Sequence, residues 1–357
     1  MIAVNARFLT QPLTGVQRFA LEISRALQSL CGKNNILFFS PSNILLQSEA
    51  KELNVEIIGK HTGHLWEQID LPRHLKKNGN PLLINLCNIA PIFYSNKLST
   101  LHDIIYIRYP HTYSKAFRWF YRITMPLVLK TSKHIFTVSE FSKKEITSHY
   151  HIPQNKITVV YNAVDKKFRP QPDNALKKEN YLLAVSSVKE SKNFALILNA
   201  FEALSKQRDD LKLFIVGDLK QGNFSNIDLN KFVNHPRIKF LGRVDDNQLI
   251  KLYSNANAFL FPSLYEGFGI PVLEAQACGC PVIASNAASL PEVLQDSAVL
   301  IDPLDTDAFV KAICNIATET EFRNDLIEMG TKNQSRFSWA KSAENILGVV
   351  KKVSNND

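Results

Sequence analysis

Long apolar runs are missing from this chain. No stretch approaches ~18 uninterrupted apolar residues, which argues against a membrane-spanning helix. The opening "MIAVNARFLT" has no basic leader followed by an apolar segment, so a cytoplasmic setting is expected rather than secretion. Cysteine is sparse: Cys31, Cys87, Cys278, Cys280 and Cys314 form no Cys-x-x-Cys pair, and Cys278-Gly-Cys280 is too tight for the usual zinc spacing. Small core thiols in a reducing compartment fit this set better than a disulfide framework. Also absent are a G-x-G-x-x-G dinucleotide fingerprint, a G-K-[ST] phosphate loop, and any D-x-D in a loop suited to a divalent cation. Charged residues make up 21% and Gly and Pro are ordinary, which excludes general disorder and fibrous repeats.

What is present points to two folded domains. Single cores stop growing near ~250 to 300 residues, and this chain has 357, of which 45% are apolar. The 42 Lys and Arg against 33 Asp and Glu leave a formal +9. That field favours anionic partners, whether nucleic acid, acidic phospholipid or phosphorylated small molecules.

"MIAVNARF" reads as a buried strand, and the next segment places Val16, Phe19, Ala20, Ile23, Ala26, Leu27 and Leu30 at helical spacing. Further short apolar runs ("NILFFS", "PLLINLCN", "STLHDI", "HIFTVS", "KITVVYN") continue the alternation, which predicts a parallel sheet covered on both faces. Residues 165–180, with two prolines and many charges, are the linker candidate. The pattern then restarts ("YLLAVSS", "LKLFIVG", "RIKFLG", "AFLFPS", "PVIAS", "AVLID"), and beyond 303 it reads as helices. The fold class is therefore α/β with two doubly wound, Rossmann-like domains of similar size.

In open α/β sheets, ligands sit beyond the carboxyl ends of the strands. "AFLFPS" ends at Ser263, the loop "LYEGFG" follows, and a helix begins near Ile270 with Pro271 in its first turn. Amide groups around Gly269 and Ile270, with the helix dipole behind them, make an anion site suited to phosphate. Glu266 falls in the loop and Glu274 one turn inside the helix. The two carboxylates could form a glycosidase acid/base pair ~5 to 9.5 Å apart. They could instead accept hydroxyl groups on either side of a phosphate, or be an ordinary loop and helix-start pair. Lys192 in "AVSSVKESKNFALI" is either a solvated helix-start lysine or a cation facing phosphate. Gly15 could be a turn glycine or a point of close backbone approach. His102 and Asp103 end a strand, again at a carboxyl edge. Residues 115–130 interleave Lys115, Arg118, Arg122 and Lys130 with Phe117, Trp119, Phe120 and Tyr121. This is either an amphipathic helix with its aromatics inward or a patch for an anionic membrane surface. No nucleic-acid module surrounds it.

Glu266 and Glu274 match the E-x7-E signature of retaining family-4 glycosyltransferases, and "FPSLYEGFGIPVLEAQACGCPVIASNAASLPEV" is close to that family's usual wording. "TGVQRFALEI", "LWEQIDLP", "STLHDIIYIRYPHTYS", "TVSEFSKKEI", "VVYNAVDKKF", "FLGRVDDNQLIKLYSNA" and "FSWAKSAENIL" extend the resemblance along nearly the whole chain. They look most like the bacterial mannosyltransferase branch that builds O-antigens and related lipopolysaccharide. The resemblance implies a GT-B fold, two Rossmann-like domains facing a central cleft. Residues 1–168 would be the acceptor-side domain, joined by a returning helix 338–357, and 169–337 would bind the nucleotide sugar.

It further implies transfer of a hexose, with retention, from a nucleoside diphosphate sugar to a saccharide or lipid-linked acceptor. GDP-mannose is the favoured donor, with UDP- or dTDP-sugars as alternatives. Glu266, Lys192, His102 and Asp103 would be the catalytic set. Gly15, Val16, Ser187, Gly242, Arg243, Gly267, Phe268, Gly269, Ile270 and Glu274 would bind the donor. Lys192 would neutralise the departing diphosphate, and His102 would touch the sugar with Asp103 as its partner or as an acceptor-site carboxylate. Relatives carry Gly where Ser186 stands and Arg where Ser191 stands, so one expected cation is replaced. No cofactor or metal is implied. Peripheral attachment to the inner face of the cell membrane is a further expectation. Two rivals are a non-catalytic nucleotide-binding relative and a basic protein of nucleic acid or membrane surfaces.

Overall fold

The computed structural model describes residues 2–177, 179–185, 190–206, 208–217 and 232–355. The chain divides into two compact units, Met1–Asn162 with Ser338–Asp357, and Ala163–Phe337.

In the first unit β1 (Ile2–Asn5), β2 (Ile36–Ser40), β3 (Glu56–Ile57), β4 (Leu82–Asn85), β5 (Lys97–Thr100), β6 (His134–Thr137) and β7 (Ile157–Val159) form a sheet in the order β3-β2-β1-β4-β5-β6-β7. In the second, β8 (Tyr181–Val185), β9 (Lys212–Val216), β10 (Ile238–Gly242), β11 (Ala258–Phe261), β12 (Val282–Ser285) and β13 (Val299–Ile301) pair in the order β10-β9-β8-β11-β12-β13. Every described strand pair is parallel. Strands such as LLIN and AFLF are buried along their whole length, as sheets covered on both faces require.

The strand order reverses between β1 and β4 in the first sheet and between β8 and β11 in the second. Chains leaving neighbouring strands at such a point diverge to opposite faces and open a crevice at the carboxyl edge. The two switch points therefore locate where ligand chemistry can occur in each unit.

The 165–180 segment is not a free linker. The Gln171 amide donates to Ser254 Oγ (2.9 Å), the Asp173 amide to Asn255 Oδ1 (3.1 Å), and Lys251 lies 3.3 Å from Asp173. These bonds pin it to the Asp246–Asn255 helix, so the division falls just before Ala163 rather than at 169. At the other end, the Trp339–Ser354 helix packs along the Gly15–Cys31 helix, with the Trp339 and Phe19 rings 6.1 Å apart. Ser342 Oγ donates to the Tyr161 carbonyl at 2.6 Å, which fixes that helix to the first unit.

Candidate active site

The second unit builds its site from loops that leave β8 and β11. Phe261 ends β11, and Gly269 then caps the Ile270–Ala277 helix at φ 96°, a left-handed value that glycine adopts without strain. A Cβ at this position would lie 2.9 Å from Leu290 Cδ2 and 3.6 Å from Phe261 Cε1. Glycine thus lets the chain turn sharply while the helix stays seated on Leu290. Pro271 occupies the first turn, where no amide is needed.

Lys192 arrives from the turn after β8. Its Nζ donates to Glu266 Oε1 at 2.5 Å and stands 5.7 Å from the centroid of the Phe261 ring. The side chains are 20% and 12% exposed, so the pair sits at a rim, shielded yet open to a ligand. Four bonds latch the surrounding loops. The Leu264 amide donates to the Ser191 carbonyl (2.8 Å), Ser289 Oγ to the Glu266 carbonyl (3.0 Å), Asn193 Nδ2 to the Pro303 carbonyl (2.8 Å), and Ser285 Oγ to the Ser263 carbonyl. Loops after β8, β11, β12 and β13 are thereby tied to one another. A cation held in this way needs little reorganisation when negative charge develops beside it.

Glu274, one turn inside the helix, is 6% exposed. Gly267, Phe268 and Ile270 belong to the same loop and helix start. Phe268 is buried, its ring 5.4 Å from that of Phe337. Gly242, at φ 67°, ends β10 and accepts the Gly217 amide at 2.8 Å, and Arg243 beyond it is exposed. These two share the carboxyl edge but lie two strands from β8, ~10 Å by strand spacing. Ser187 lies outside the described residues. The Ser191 side chain is buried, and its hydroxyl has no hydrogen-bond partner among the described residues. Lys189, three residues before Lys192, lies outside the described residues.

An open hollow of about 490 Å³ follows β13, lined by Asp302, Leu304, Asp305, Thr306 and Asp307. Three carboxylates there oppose a diphosphate. Asp305 serves as a helix cap, accepting the Ala308 amide at 2.9 Å, so the Asp305-Thr306-Asp307 triplet opens a helix.

In the first unit the β1/β4 switch point gathers residues that sequence reasoning missed. Asn5 Nδ2 donates to Asn85 Oδ1 (2.5 Å) and Glu67 Oε1 (2.7 Å), and the Arg7 amide donates to Asn5 Oδ1 (3.1 Å). Arg7 Nε lies 3.1 Å from Glu67 Oε2 but is misaligned for a hydrogen bond. Glu67 is fully buried on a π-helical turn, Trp66–Asp70, a widened turn that often marks a functional position. The available signal was an asparagine closing each of two apolar strands, "IAVN" and "LLIN". A buried polar side chain at a carboxyl edge needs a reason.

His102, after neighbouring β5, is 7% exposed. Its Nε2 bonds the Leu86 carbonyl at 3.0 Å, and its ring meets Phe19 edge-on with centroids 4.9 Å apart. A carbonyl only accepts, so Nε2 carries the proton of the neutral ring. Asp103 Oδ1 accepts the Ile105 amide at 3.0 Å, capping the next turn. Gly15 is exposed and Val16 half-buried at the start of the helix that carries Phe19.

Burial holds the His102 imidazole well below its ordinary value, at about 4, against the opposing pull of the Leu86 carbonyl. An unfolded histidine titrates near ~6.5. Its stabilising contribution is therefore complete above that pH and is lost as pH falls toward 4, because the unfolded chain takes a proton the native ring refuses. Urea unfolding of wild type and His102→Gln at pH 7 and pH 4.5 is expected to show an extra loss of about 2 kcal/mol in wild type. His134, likewise lowered to about 4 by burial, is common to both proteins and cancels. Equal losses would remove this account of the ring.

Residues 165–333 match the family described as glycosyl transferases group 1, and residues 13–168 match Glycosyltransferase Family 4. The O-antigen chain mannosyltransferase B of Escherichia coli is 26% identical over 376 residues, spanning 95% of this chain and 96% of that protein. The O-antigen chain mannosyltransferase RfbU of Salmonella typhimurium is 34% identical over 248 residues, 68% of this chain and 67% of the relative. Among solved structures, Anabaena Alr3699/HepE in complex with UDP and glucose superposes with a TM-score of 0.75 at 16% identity, over 98% of this chain and 99% of that one. WaaG, a glycosyltransferase involved in lipopolysaccharide biosynthesis, gives 0.70 at 16% identity over 98% and 99%. At that identity the structural likeness is one of fold, the GT-B arrangement of two Rossmann-like domains, whereas the sequence relatives carry family membership. The chain belongs to the family-4 glycosyltransferases.

Proposed function

We propose that the protein transfers a hexose with retention, in the synthesis of O-antigen or a related lipopolysaccharide, from a nucleoside diphosphate sugar to a saccharide or lipid-linked acceptor. Mannose is the best-supported sugar, because the two relatives above are named as mannosyltransferases, and GDP-mannose is the donor proposed with it. The observation that carries the reading is the Lys192–Glu266 pair at the β8/β11 switch point, beside the amino end of the Ile270–Ala277 helix.

In the reaction the bond from the anomeric carbon to the diphosphate oxygen breaks and a bond to the acceptor oxygen forms. The acceptor's proton goes to the leaving phosphate on the same face. Charge accumulates on that phosphate, where Lys192 and the first-turn amides after Gly269 meet it. Glu266 takes sugar hydroxyls and Glu274 the ribose, with Gly242 and Arg243 toward the base. The first-unit switch point, with His102 and Asp103, is assigned to the acceptor. Lys192 and the helix amides do the neutralising that a divalent ion does elsewhere.

A thermal-shift panel of GDP, UDP, dTDP and ADP tests the donor. A ligand at ~100 times its dissociation constant adds ~2.7 kcal/mol, so GDP is expected to stand apart. A larger shift with UDP moves the donor to a UDP-sugar; no shift with any of the four removes the nucleotide-sugar reading.

A further inference from the structure

In the polar cluster at the β1/β4 switch point of the first unit, one group has hydrogen-bonding capacity left over. Asn5 is saturated, its amide protons going to Glu67 and Asn85 and its oxygen taking the Arg7 amide. Asn85 is saturated as well, its Nδ2 donating to the Cys87 and Ile89 carbonyls at 2.7 and 2.6 Å. Glu67 is engaged at both oxygens, Oε1 by Asn5 and Oε2 by His64 Nδ1, which donates at 3.2 Å. Arg7 is the exception. Its side chain is only 10% exposed, yet none of its guanidinium N–H donors has a hydrogen-bond partner among the described residues.

A buried arginine beside a carboxylate normally closes its fork on it with two parallel N–H···O bonds. Here Nε stands 3.1 Å from Glu67 Oε2 without aligning, so the carboxylate balances the charge and leaves the donors unused. Unused buried donors cost stability, and a ligand that supplies the acceptors gives a reason for keeping them. Position agrees with this. Arg7 opens the Arg7–Thr10 turn directly after β1, at the carboxyl edge of the sheet. The loop after β4 links it to His102: Asn88 Oδ1 accepts the His102 amide at 3.0 Å, and Asn88 also hydrogen-bonds the Tyr121 hydroxyl, which feels the Arg7 charge.

We propose that Arg7 selects the acceptor by donating from its guanidinium fork to two adjacent hydroxyl oxygens of an uncharged sugar, with Glu67 and Asn5 as positioning residues. This rests on the assignment of the first-unit switch point to the acceptor. Glu67 decides the charge of the ligand. Its carboxylate already neutralises Arg7, so a phosphate or carboxylate on the fork would face a second negative charge, whereas a diol takes the hydrogen bonds without that repulsion. Hydroxyls on neighbouring ring carbons present two oxygens to the planar fork, as a carboxylate does. A counter-ion role for Arg7 alone leaves its missing hydrogen bonds to Glu67 without a cause.

Saturation-transfer NMR with the methyl α-glycosides of mannose, glucose, galactose and N-acetylglucosamine measures binding without donor or turnover. At least one is expected to bind wild type. Its monodeoxy analogues at two neighbouring positions should bind about 10- to 150-fold more weakly, the value of a hydrogen bond to a charged donor. Arg7→Lys keeps the charge opposite Glu67 but not the fork. It should bind the parent glycoside as weakly as those analogues, no longer tell them apart, and keep the wild-type thermal shift with nucleotide. The analogue series on wild type needs no variant, so it decides the matter even if Arg7→Lys melts early. The proposal falls if no glycoside binds, if every deoxy analogue binds like its parent, if Arg7→Lys keeps the discrimination, or if the corresponding uronate binds more tightly than the neutral sugar. Absence of transfer in every mixture of donor and glycoside, with Arg7-dependent binding intact, would instead remove the proposed reaction and leave the sugar site standing.

Discussion

Lys192→Ala lowers turnover by about two to three decades with the correct donor, while nucleotide binding weakens much less. The size follows from removing one preorganised donor at a developing anion, which costs ~2.7 to 4 kcal/mol of transition-state stabilisation. The split between kcat and KM follows from where the charge appears. The bound donor already carries its diphosphate charges, shared with the helix amides. On the proposed mechanism the charge added on bond breaking is met by Lys192 together with the first-turn amides of the Ile270–Ala277 helix. The fold should survive. The pair is only 20% and 12% exposed, so losing the lysine leaves the Glu266 carboxylate partly desolvated and costs ~1 to 3 kcal/mol of stability, while the latches through the Ser191 carbonyl and Asn193 Nδ2 do not involve the lysine side chain. Donor turnover and the far-ultraviolet melt together check this. Full turnover in Lys192→Ala, with every donor tried, would dismiss the mechanism, and a collapsed melt would shift the cause to folding.

The fold was legible because its signals are local. Apolar runs such as "AFLF" and "LLIN" have the length and continuity of strands buried on both faces, and the Gly-Ile-Pro boundary marks a helix start whatever surrounds it. Glu266 and Glu274 were singled out by a different route, the resemblance to the E-x7-E signature of family-4 glycosyltransferases. What sequence left hidden depends on partners far apart in the chain. The Asn5–Glu67–Asn85 cluster joins residues 62 and 80 positions apart, and no periodicity encodes that meeting. The 165–180 segment, with its prolines and charges, resembles a linker, yet bonds to Ser254 and Asn255 hold it to the second unit. In the 115–131 helix, composition could not say which of four aromatics stays outside. The buried 121/125/128 stripe decides it, leaving Trp119 on the opposite face.

Gly269→Ala should cost more than Gly242→Ala, which is its control. Both glycines have positive φ, 96° and 67°, so each alanine carries the left-handed penalty of ~1 to 2 kcal/mol. Only at Gly269 does the new methyl meet an obstacle, Leu290 Cδ2 at 2.9 Å, whereas nothing lies within 4 Å at Gly242. Leu290 is fully buried, so it yields only by disturbing its neighbours, and overpacking of this kind adds ~1 to 3 kcal/mol. Gly269→Ala should therefore lower the melting temperature of the second unit by roughly 4 to 20 °C, at ~2 to 4 °C per kcal/mol, against about 2 to 8 °C for Gly242→Ala. Because the clash sits at the helix cap, its relief moves the first-turn amides, and nucleotide diphosphate affinity should fall with stability in Gly269→Ala. Leu290→Ala removes the obstacle, so in the double variant the Gly269 change should cost only the backbone term, a coupling of about 1 to 3 kcal/mol. Equal melting shifts at the two glycines would mean that backbone conformation alone sets the cost, and the tight seat of the helix on Leu290 would then have no part in shaping the helix start proposed to meet phosphate.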